Sequence, residues 1–186
     1  MIIVAWIAGA FLAGQQSKTS DVHYDPARGI SVQRPPKKEE WKFKTAEGKL
    51  KSSQVIVHQI VDDVSIEFFM VEPDPKKGSF DPQKELEAVV KELGKGESFT
   101  DVSQKKLEQA ALPGNGAGGA KGWYLEATMK TKAGALLEWR QYCFVSRENR
   151  CLYIATILNG EGAYQKNKKD IDLILSSVRT YKIVKK

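Results

Sequence analysis

The sequence is poor in the residues from which metal and nucleophilic sites are usually built. It holds two cysteines and two histidines in 186 residues, whereas a common zinc site needs three or four such ligands at repeated spacing. It also lacks a GxSxG segment, the turn that presents the serine nucleophile in one large class of hydrolases. We therefore expect no metal, no cofactor and no assignable catalytic residue.

Long hydrophobic runs and internal repeats are scarce as well. The longest apolar run is a short amino-terminal stretch, which excludes a protein with several membrane-spanning helices. No period of 20–50 residues recurs, which excludes a solenoid or a propeller. What remains is ordinary globular composition, with 41% hydrophobic and 28% charged residues, and it supports one domain of about 150 residues.

Residues 1–14 read MIIVAWIAGAFLAG and carry no charged side chain. As a helix this stretch would be about 21 Å long, short of the roughly 30 Å of a bilayer core, so it is typical of a secretory signal peptide. Ala10 and Ala13 offer cleavage positions, and Gln15 stands where a lipoprotein signal needs cysteine. We predict an exported protein, periplasmic or extracellular, with a linker over 15–27 and no transmembrane domain in the mature chain. A buried amino-terminal helix is the alternative.

The two cysteines belong to a predicted hairpin. Residues 136–146 and 151–158 are rich in apolar, aromatic and β-branched side chains and flank a polar turn. With a two-residue turn, Cys143 faces Ile154, and the thiols of Cys143 and Cys151 lie on opposite faces of the sheet. We therefore predict two free, buried thiols and no disulfide.

Alternating polarity predicts further strands. Residues 29–32 and 41–43 alternate, and residues 54–61 and 64–71 predict an antiparallel hairpin with a two-residue turn. Residues 123–129 alternate as well. Because these strands are joined mainly by hairpins, we expect an antiparallel sheet with helices packed on its faces.

Two helices are predicted, one in the middle of the chain and one at its end. Asp81 and Pro82 suit the N-cap and the first helical position, and the final helix covers about 161–180. Segment 99–112 fits a short helix or an irregular strand. The apolar stripe of the first helix consists of Leu86, Val89, Val90 and Leu93.

This order of elements resembles the PsbP-like α/β/α sandwich family. The resemblance rests on Gly29-Ile30-Ser31-Val32 with Pro35 and Trp41, the long hairpin, the following strand triplet, and the closing stretch 174–178. It implies an α+β fold, an antiparallel β-sheet flanked by helices, over one domain at 28–184. Members of known function in this family mostly bind other proteins, so the resemblance implies a binding role and transfers no site residue.

Residues 114–119 satisfy GxGxxG letter for letter. A dinucleotide-binding loop needs a strand before this motif and a helix after it, so that the helix N-terminus meets the pyrophosphate. Here Pro113 precedes the motif and the predicted strand at Trp123 follows it. We therefore interpret the segment as a flexible, glycine-rich surface loop.

His58 and Glu67 lie opposite each other in the predicted hairpin. One hypothesis is a hydrolase-like enzyme in which Glu67 orients His58 as a general base. The simpler interpretation is a half-buried cross-strand pair, because no nucleophile is placed beside them in the sequence.

Arg140, Tyr142 and Glu138 share one face of a predicted strand and form, with His58 and Glu67, a candidate binding face. The leading hypothesis is a non-enzymatic exported accessory module that acts through a protein or cell-envelope polymer. A basic, polyanion-binding surface is a further alternative, because the net charge is +6, although we expect no nucleic-acid partner. The lysine doublets are Lys37-Lys38, Lys76-Lys77, Lys105-Lys106, Lys168-Lys169 and Lys185-Lys186.

Overall fold

The computed structural model describes residues 21–37, 39–45, 55–74, 76, 78–95 and 99–183. The predicted signal peptide, residues 1–14, lies outside the described residues. Among the described residues, no helix combines the length and the hydropathy needed to cross a membrane.

Within the described residues, ten strands form two antiparallel sheets. Their bounds are β1 (Val22–Asp25), β2 (Ile30–Gln33), β3 (Trp41–Thr45), β4 (Val55–Gln59), β5 (Val64–Val71), β6 (Phe99–Ala111), β7 (Lys121–Thr131), β8 (Leu136–Val145), β9 (Leu152–Gly160) and β10 (Arg179–Thr180). The large sheet has the order β3-β4-β5-β9-β8-β7-β6, and the small one has the order β1-β2-β10. The predicted antiparallel α+β architecture is confirmed.

The helices lie on opposite faces of the large sheet. They are α1 (Pro82–Leu93), the four-residue α2 (Gly116–Gly119) and α3 (Ala163–Ser177). The N-cap prediction for α1 is confirmed, since the Asp81 side chain accepts hydrogen bonds from the backbone N–H groups of Gln83 and Lys84. The final helix ends at Ser177, before the predicted residue 180, because Arg179 and Thr180 pair with β2 instead.

The two helical layers are offset from each other. On the α3 side, the buried apolar core combines α3 with the small sheet and with β3, β4, β5, β8 and β9, and among described residues it takes none from β6 or β7. On the α1 side, the buried core combines α1 with β7, β8 and β9; of the residues that the structure describes, β3 and β4 contribute none, and β5 contributes only the partly buried Phe69 and Val71. The two buried cores therefore share strands β8 and β9 and otherwise lie towards opposite edges of the sheet.

The β4–β5 hairpin has a longer turn than the two-residue turn predicted. Gln59 pairs with Val64, which leaves four residues in the turn, and Asp63 adopts a positive φ of 51°. The pairing is therefore shifted by two residues, so that His58 lies opposite Ser65 and Glu67 lies opposite Ile56. The predicted direct pair of His58 with Glu67 is wrong. Because the shift is an even number of residues, each side chain still lies on the face of the sheet that was predicted for it.

The β8–β9 hairpin matches its prediction. Cys143 pairs with Ile154, and Cys143 belongs to the α1-side core whereas Cys151 belongs to the α3-side core. Both cysteines are buried and free. The prediction of two separated thiols is confirmed.

Three segments are more ordered than their sequences indicated. Val22–Asp25, within the predicted linker over 15–27, is strand β1 and pairs with β2. Phe99–Ala111 is an edge strand of 13 residues. The GxGxxG segment packs against α3 and is not a free surface loop, because the Ala117 N–H donates to the Val178 carbonyl at 2.7 Å and both Gly116 and Ala117 are buried.

Candidate functional site

Arg140, in the middle of β8, is a buried charged residue with several partners on the α3 side. It is 5% exposed, and its guanidinium lies 2.8 Å from a Glu138 oxygen and 2.9 Å from a Glu126 oxygen. The sheet register explains these contacts, since Glu126 is the cross-strand partner of Arg140 and Glu138 lies two residues away on the same strand face. The guanidinium carbon also lies 3.7 Å from the ring centroid of Tyr164, a cation–π contact with α3.

Glu138 ties this cluster to the start of α3. Its carboxylate accepts hydrogen bonds from the Asn159 side-chain amide at 3.0 Å and from the Gly162 backbone N–H at 3.2 Å. Burial alone would raise the pKa of Glu138, but the hydrogen bonds from Arg140, Asn159 and Gly162 outweigh it and lower that pKa. Glu138 is therefore an ionised structural anchor at neutral pH and does not supply a proton.

Two further tyrosines extend the cluster towards β7. The rings of Tyr124 and Tyr142 lie 4.7 Å apart between centroids, and the Tyr124 hydroxyl donates to Glu126 at 3.1 Å. Burial raises the pKa of Tyr124, Tyr142 and Tyr164, with further contributions from neighbouring charges. We name the six residues the tyrosine–arginine cluster: Tyr124, Glu126, Glu138, Arg140, Tyr142 and Tyr164.

The cluster opens towards solvent on its β6 side. Lys106 pairs with Glu108 at 2.8 Å, and the side chains of both remain about half exposed. The Lys106 ammonium also lies 6.0 Å from the ring centroid of Tyr124. Lys106 and Glu108 therefore form a charged, solvent-exposed rim beside the buried Arg140 and the three tyrosines.

This arrangement is suited to binding more than to acid–base chemistry. The three phenols stay protonated at neutral pH, and the two carboxylates are held by Arg140. The thiol of Cys143 lies on the opposite face, and burial raises its pKa. Tyrosine and arginine are enriched among the residues that dominate protein–protein interfaces, but Arg140, Tyr124 and Tyr164 are buried within this chain. A partner can therefore reach only the half-buried Tyr142 and the exposed residues beside the cluster.

His58 and Glu67, the other two candidates, lie on the α1 side of the sheet. The Nε2 atom of His58 is 3.6 Å from an Asp63 oxygen at the turn. Strand β4 is three positions from β8 in the sheet. Because neighbouring strands lie about 4.8 Å apart, the Cα atoms of His58 and Cys143 are at least about 14 Å apart. The five candidate residues therefore form two groups on opposite faces, and the structure brings together only Arg140, Tyr142 and Glu138.

Sequence reasoning missed three members of the cluster. Tyr124 and Glu126 alternate with core residues in β7, and their shared strand face was the available signal. Tyr164 begins α3, and no local pattern links it to Arg140, because that contact joins a helix to a distant strand.

Asp62 serves the fold by linking the β4–β5 turn to α3. Its carboxylate accepts hydrogen bonds from Lys166 and, at 2.8 Å, from the Asn167 side chain. The bonds from Lys166 and Asn167 lower its pKa. Within the part of the chain that the structure describes, no three His, Cys, Asp or Glu side chains gather as a metal site would require.

The layers and the strand order define a class of protein, an α/β/α sandwich built on one large antiparallel sheet with a smaller sheet beside α3. No protein-family model matches the sequence, and no curated protein matches it. Solved structures do match. The solution structure of cyanobacterial PsbP (CyanoP) from Synechocystis sp. PCC 6803 has a TM-score of 0.61 at 14% identity, over 86% of this chain and 91% of that one.

Two other structures share the architecture. LpqN of Mycobacterium tuberculosis, described as involved in cell envelope biogenesis, has a TM-score of 0.52 at 14% identity, over 82% of this chain and 83% of that one. A Bacteroides thetaiotaomicron protein has a TM-score of 0.50 at 12% identity, over 89% of this chain and 50% of that one. The chain has the PsbP-like fold, and the resemblance drawn from the sequence is confirmed.

Proposed function

We propose that this protein is a non-enzymatic, exported accessory module that binds a protein or envelope-polymer partner through the exposed rim of Lys106 and Glu108, which the buried tyrosine–arginine cluster supports from behind. The observation that carries the proposal is the fully paired, buried Arg140 at the centre of three tyrosines. Such a cluster is rigid before a partner arrives, so binding would cost little side-chain entropy. Its rim offers both signs of charge, on Lys106 and Glu108, for orienting a partner.

Two further points support an envelope role. LpqN, one of the structural neighbours, is described as involved in cell envelope biogenesis, and the apolar stretch at 1–14 is typical of a secretory signal. Cell fractionation of the full chain should place it outside the cytoplasm. Recovery in the cytoplasm alone would contradict export.

A photo-crosslinking residue placed at Lys106 tests the binding surface. Because this side chain is exposed beside the cluster, irradiation of intact source cells should give a discrete adduct whose partner is identified by mass spectrometry. The matched control is the same residue at Ala88, which is exposed on α1 at the other face of the sheet. Adducts of equal yield at both positions, or none at Lys106, would refute this surface.

Catalysis is tested separately by turnover of ester and glycoside substrates. The proposal predicts no turnover that depends on His58. Activity that disappears in a folded His58→Ala variant would overturn the non-enzymatic assignment and favour the hydrolase hypothesis.

A further inference from the structure

The small sheet has one buried face and one face that points outwards. Ile30 and Val32 of β2 belong to the α3-side core, so Ser31 between them points away from that core. Tyr24 of β1 pairs with Ser31, and Arg179 of β10 pairs with the same residue from the other side. Because cross-strand partners share a face, Tyr24 and Arg179 both lie on the outward face.

Exposed apolar and aromatic side chains are concentrated on this outward face and on the adjoining side of α3. The rings of Tyr24 and Tyr181 lie 5.6 Å apart between centroids. Leu173 lies one turn of α3 before Ser177, whose hydroxyl accepts the Gln33 N–H at 2.9 Å. Of the seven large apolar or aromatic side chains that are exposed in the described chain, this surface holds four: Val22, Tyr24, Leu173 and Tyr181. Exposed side chains gathered in this way mark an interaction surface.

The charge on the same surface is positive. Lys169, one turn before Leu173 on α3, is exposed, as are Arg179 and Lys182. The Arg179 guanidinium donates to backbone carbonyls at the end of α3 and to no carboxylate of the described chain. The nearby acidic residues are each held by another cation, in the pairs Asp21–Arg34, Asp25–Arg28, Asp170–Lys37 and Asp172–Lys168. We name the four exposed side chains and these three cations the outer face.

The small sheet also brings together two stretches that are far apart in the sequence. The apolar stretch at 1–14 is joined to β1 by residues 15–21, which span at most about 25 Å when fully extended. On the other side of β2, strand β10 begins the stretch RTYKIVKK at 179–186, which contains four basic residues and no acidic one. An apolar stretch and a basic stretch therefore both continue from this one sheet.

We propose that the outer face binds the surface of a bilayer that contains anionic lipids. Lys169, Arg179 and Lys182 attract the anionic headgroups, as basic residues close to such a surface do. Tyr24 and Tyr181 suit the boundary between headgroups and acyl chains, because a tyrosine side chain has an apolar body and a polar tip.

An acidic protein segment is the main competing partner, because the same cations would attract it. The bilayer is favoured because lasting attachment to a membrane combines an apolar element with a basic one, and both continue from the small sheet. A bilayer that holds residues 1–14 is also within about 25 Å of β1. The outer face includes neither Lys106 nor Glu108, so this inference does not rest on the function proposed above.

Flotation of the full chain with lipid vesicles tests the proposal. Vesicles of equal parts phosphatidylglycerol and phosphatidylcholine should bind the chain roughly tenfold or more tightly than pure phosphatidylcholine vesicles, and added salt should remove this difference. Insertion of the uncharged stretch 1–14 does not depend on lipid charge, so the comparison measures the contribution of the basic residues. Equal binding to both kinds of vesicle would overturn the proposal.

A charge-reversed variant locates the binding surface. Lys169→Glu combined with Lys182→Glu should weaken binding to the anionic vesicles by roughly tenfold or more. The matched control is Lys84→Glu combined with Lys91→Glu, which makes the same change in net charge at exposed positions of α1, on the opposite face of the large sheet. The control should bind as the unmodified chain does, and equal weakening in both variants would contradict a localised surface.

A fluorescent label tests which face meets the lipid. Because both native cysteines are buried, Leu173→Cys can be labelled selectively with an environment-sensitive fluorophore, whose emission should shift to the blue on anionic vesicles. The same label on Ala88→Cys, at the exposed side of α1, should not shift. No shift at Leu173, equal shifts at both positions, or polyglutamate binding as tightly as the anionic vesicles would each overturn the proposal; the last result would assign the outer face to an acidic protein partner.

Discussion

Replacing Arg140 with methionine tests the tyrosine–arginine cluster most directly. Methionine keeps much of the side-chain volume but removes the guanidinium, so the carboxylates of Glu126 and Glu138 lose their shared cation. Breaking a buried ion pair by removing one partner costs about 3–5 kcal/mol. The side chains of Glu126 and Glu138 are 30% and 17% exposed and stay partly hydrated. We therefore expect a loss at the lower end of this range, about 3 kcal/mol.

Urea unfolding followed by tryptophan fluorescence measures this loss in free energy of unfolding. For a domain of this size, about 3 kcal/mol corresponds to a fall of roughly 6–12 °C in Tm. The control is Arg147→Met, which removes the same charge from an exposed turn and should change stability by less than about 0.5 kcal/mol.

The effect of the Arg140 substitution should depend on pH with a defined sign. Because the pKa of Glu138 is lowered in the folded state, its contribution is present above the unfolded pKa of about 4.3 and is lost as the pH falls through the folded value. The difference between wild type and variant should therefore narrow below about pH 4. A destabilisation under about 1 kcal/mol, or one that is constant between pH 7 and pH 3, would refute this account of the cluster.

Three other predictions concern the fold. Thiol reagents should leave Cys143 and Cys151 unmodified in the native protein and label both after denaturation, because both are buried; rapid native labelling would contradict the sheet register. Gly116→Ala should cost about 1–3 kcal/mol by thermal unfolding, since the added Cβ would lie 2.2 Å from an α3 carbonyl oxygen. Gly160→Ala, with no atom within 4 Å, is its control, and equal Tm values for the two variants would argue against the packed loop. Asp81→Ala should cost about 1 kcal/mol by urea unfolding through loss of the α1 cap, whereas Asp81→Asn should restore most of it.

Local sequence was sufficient to identify a strand or a helix wherever one face of that element is buried. Alternation in β5 and β7 and the apolar stripe of α1 each identified the correct element, because a single slip would expose the whole buried face. Asp81 and Pro82 located the start of α1 for an equally local reason, since an N-cap satisfies backbone groups within three residues of itself.

Distant contacts explain the elements that the sequence did not reveal. The β4–β5 turn contains four residues, with Asp62 held by Lys166 and Asn167 of α3, more than 100 residues away. The glycine-rich loop is packed because Leu175 of α3 lies against Gly116, and because the Ala117 N–H donates to the carbonyl of Val178, the residue that follows α3. A pattern confined to a few neighbouring residues carries no information about such partners.

The candidate site residues show the same division between what local sequence predicts and what distant contacts decide. Period-two alternation alone placed Glu138, Arg140 and Tyr142 on one strand face, because successive side chains of a strand point to opposite sides. The tertiary structure decided that Tyr164 completes this cluster from α3, and that His58 and Glu67 belong to the other side of the sheet. Strand order and helix placement depend on contacts between segments far apart in the chain, and these are settled only when the whole core packs.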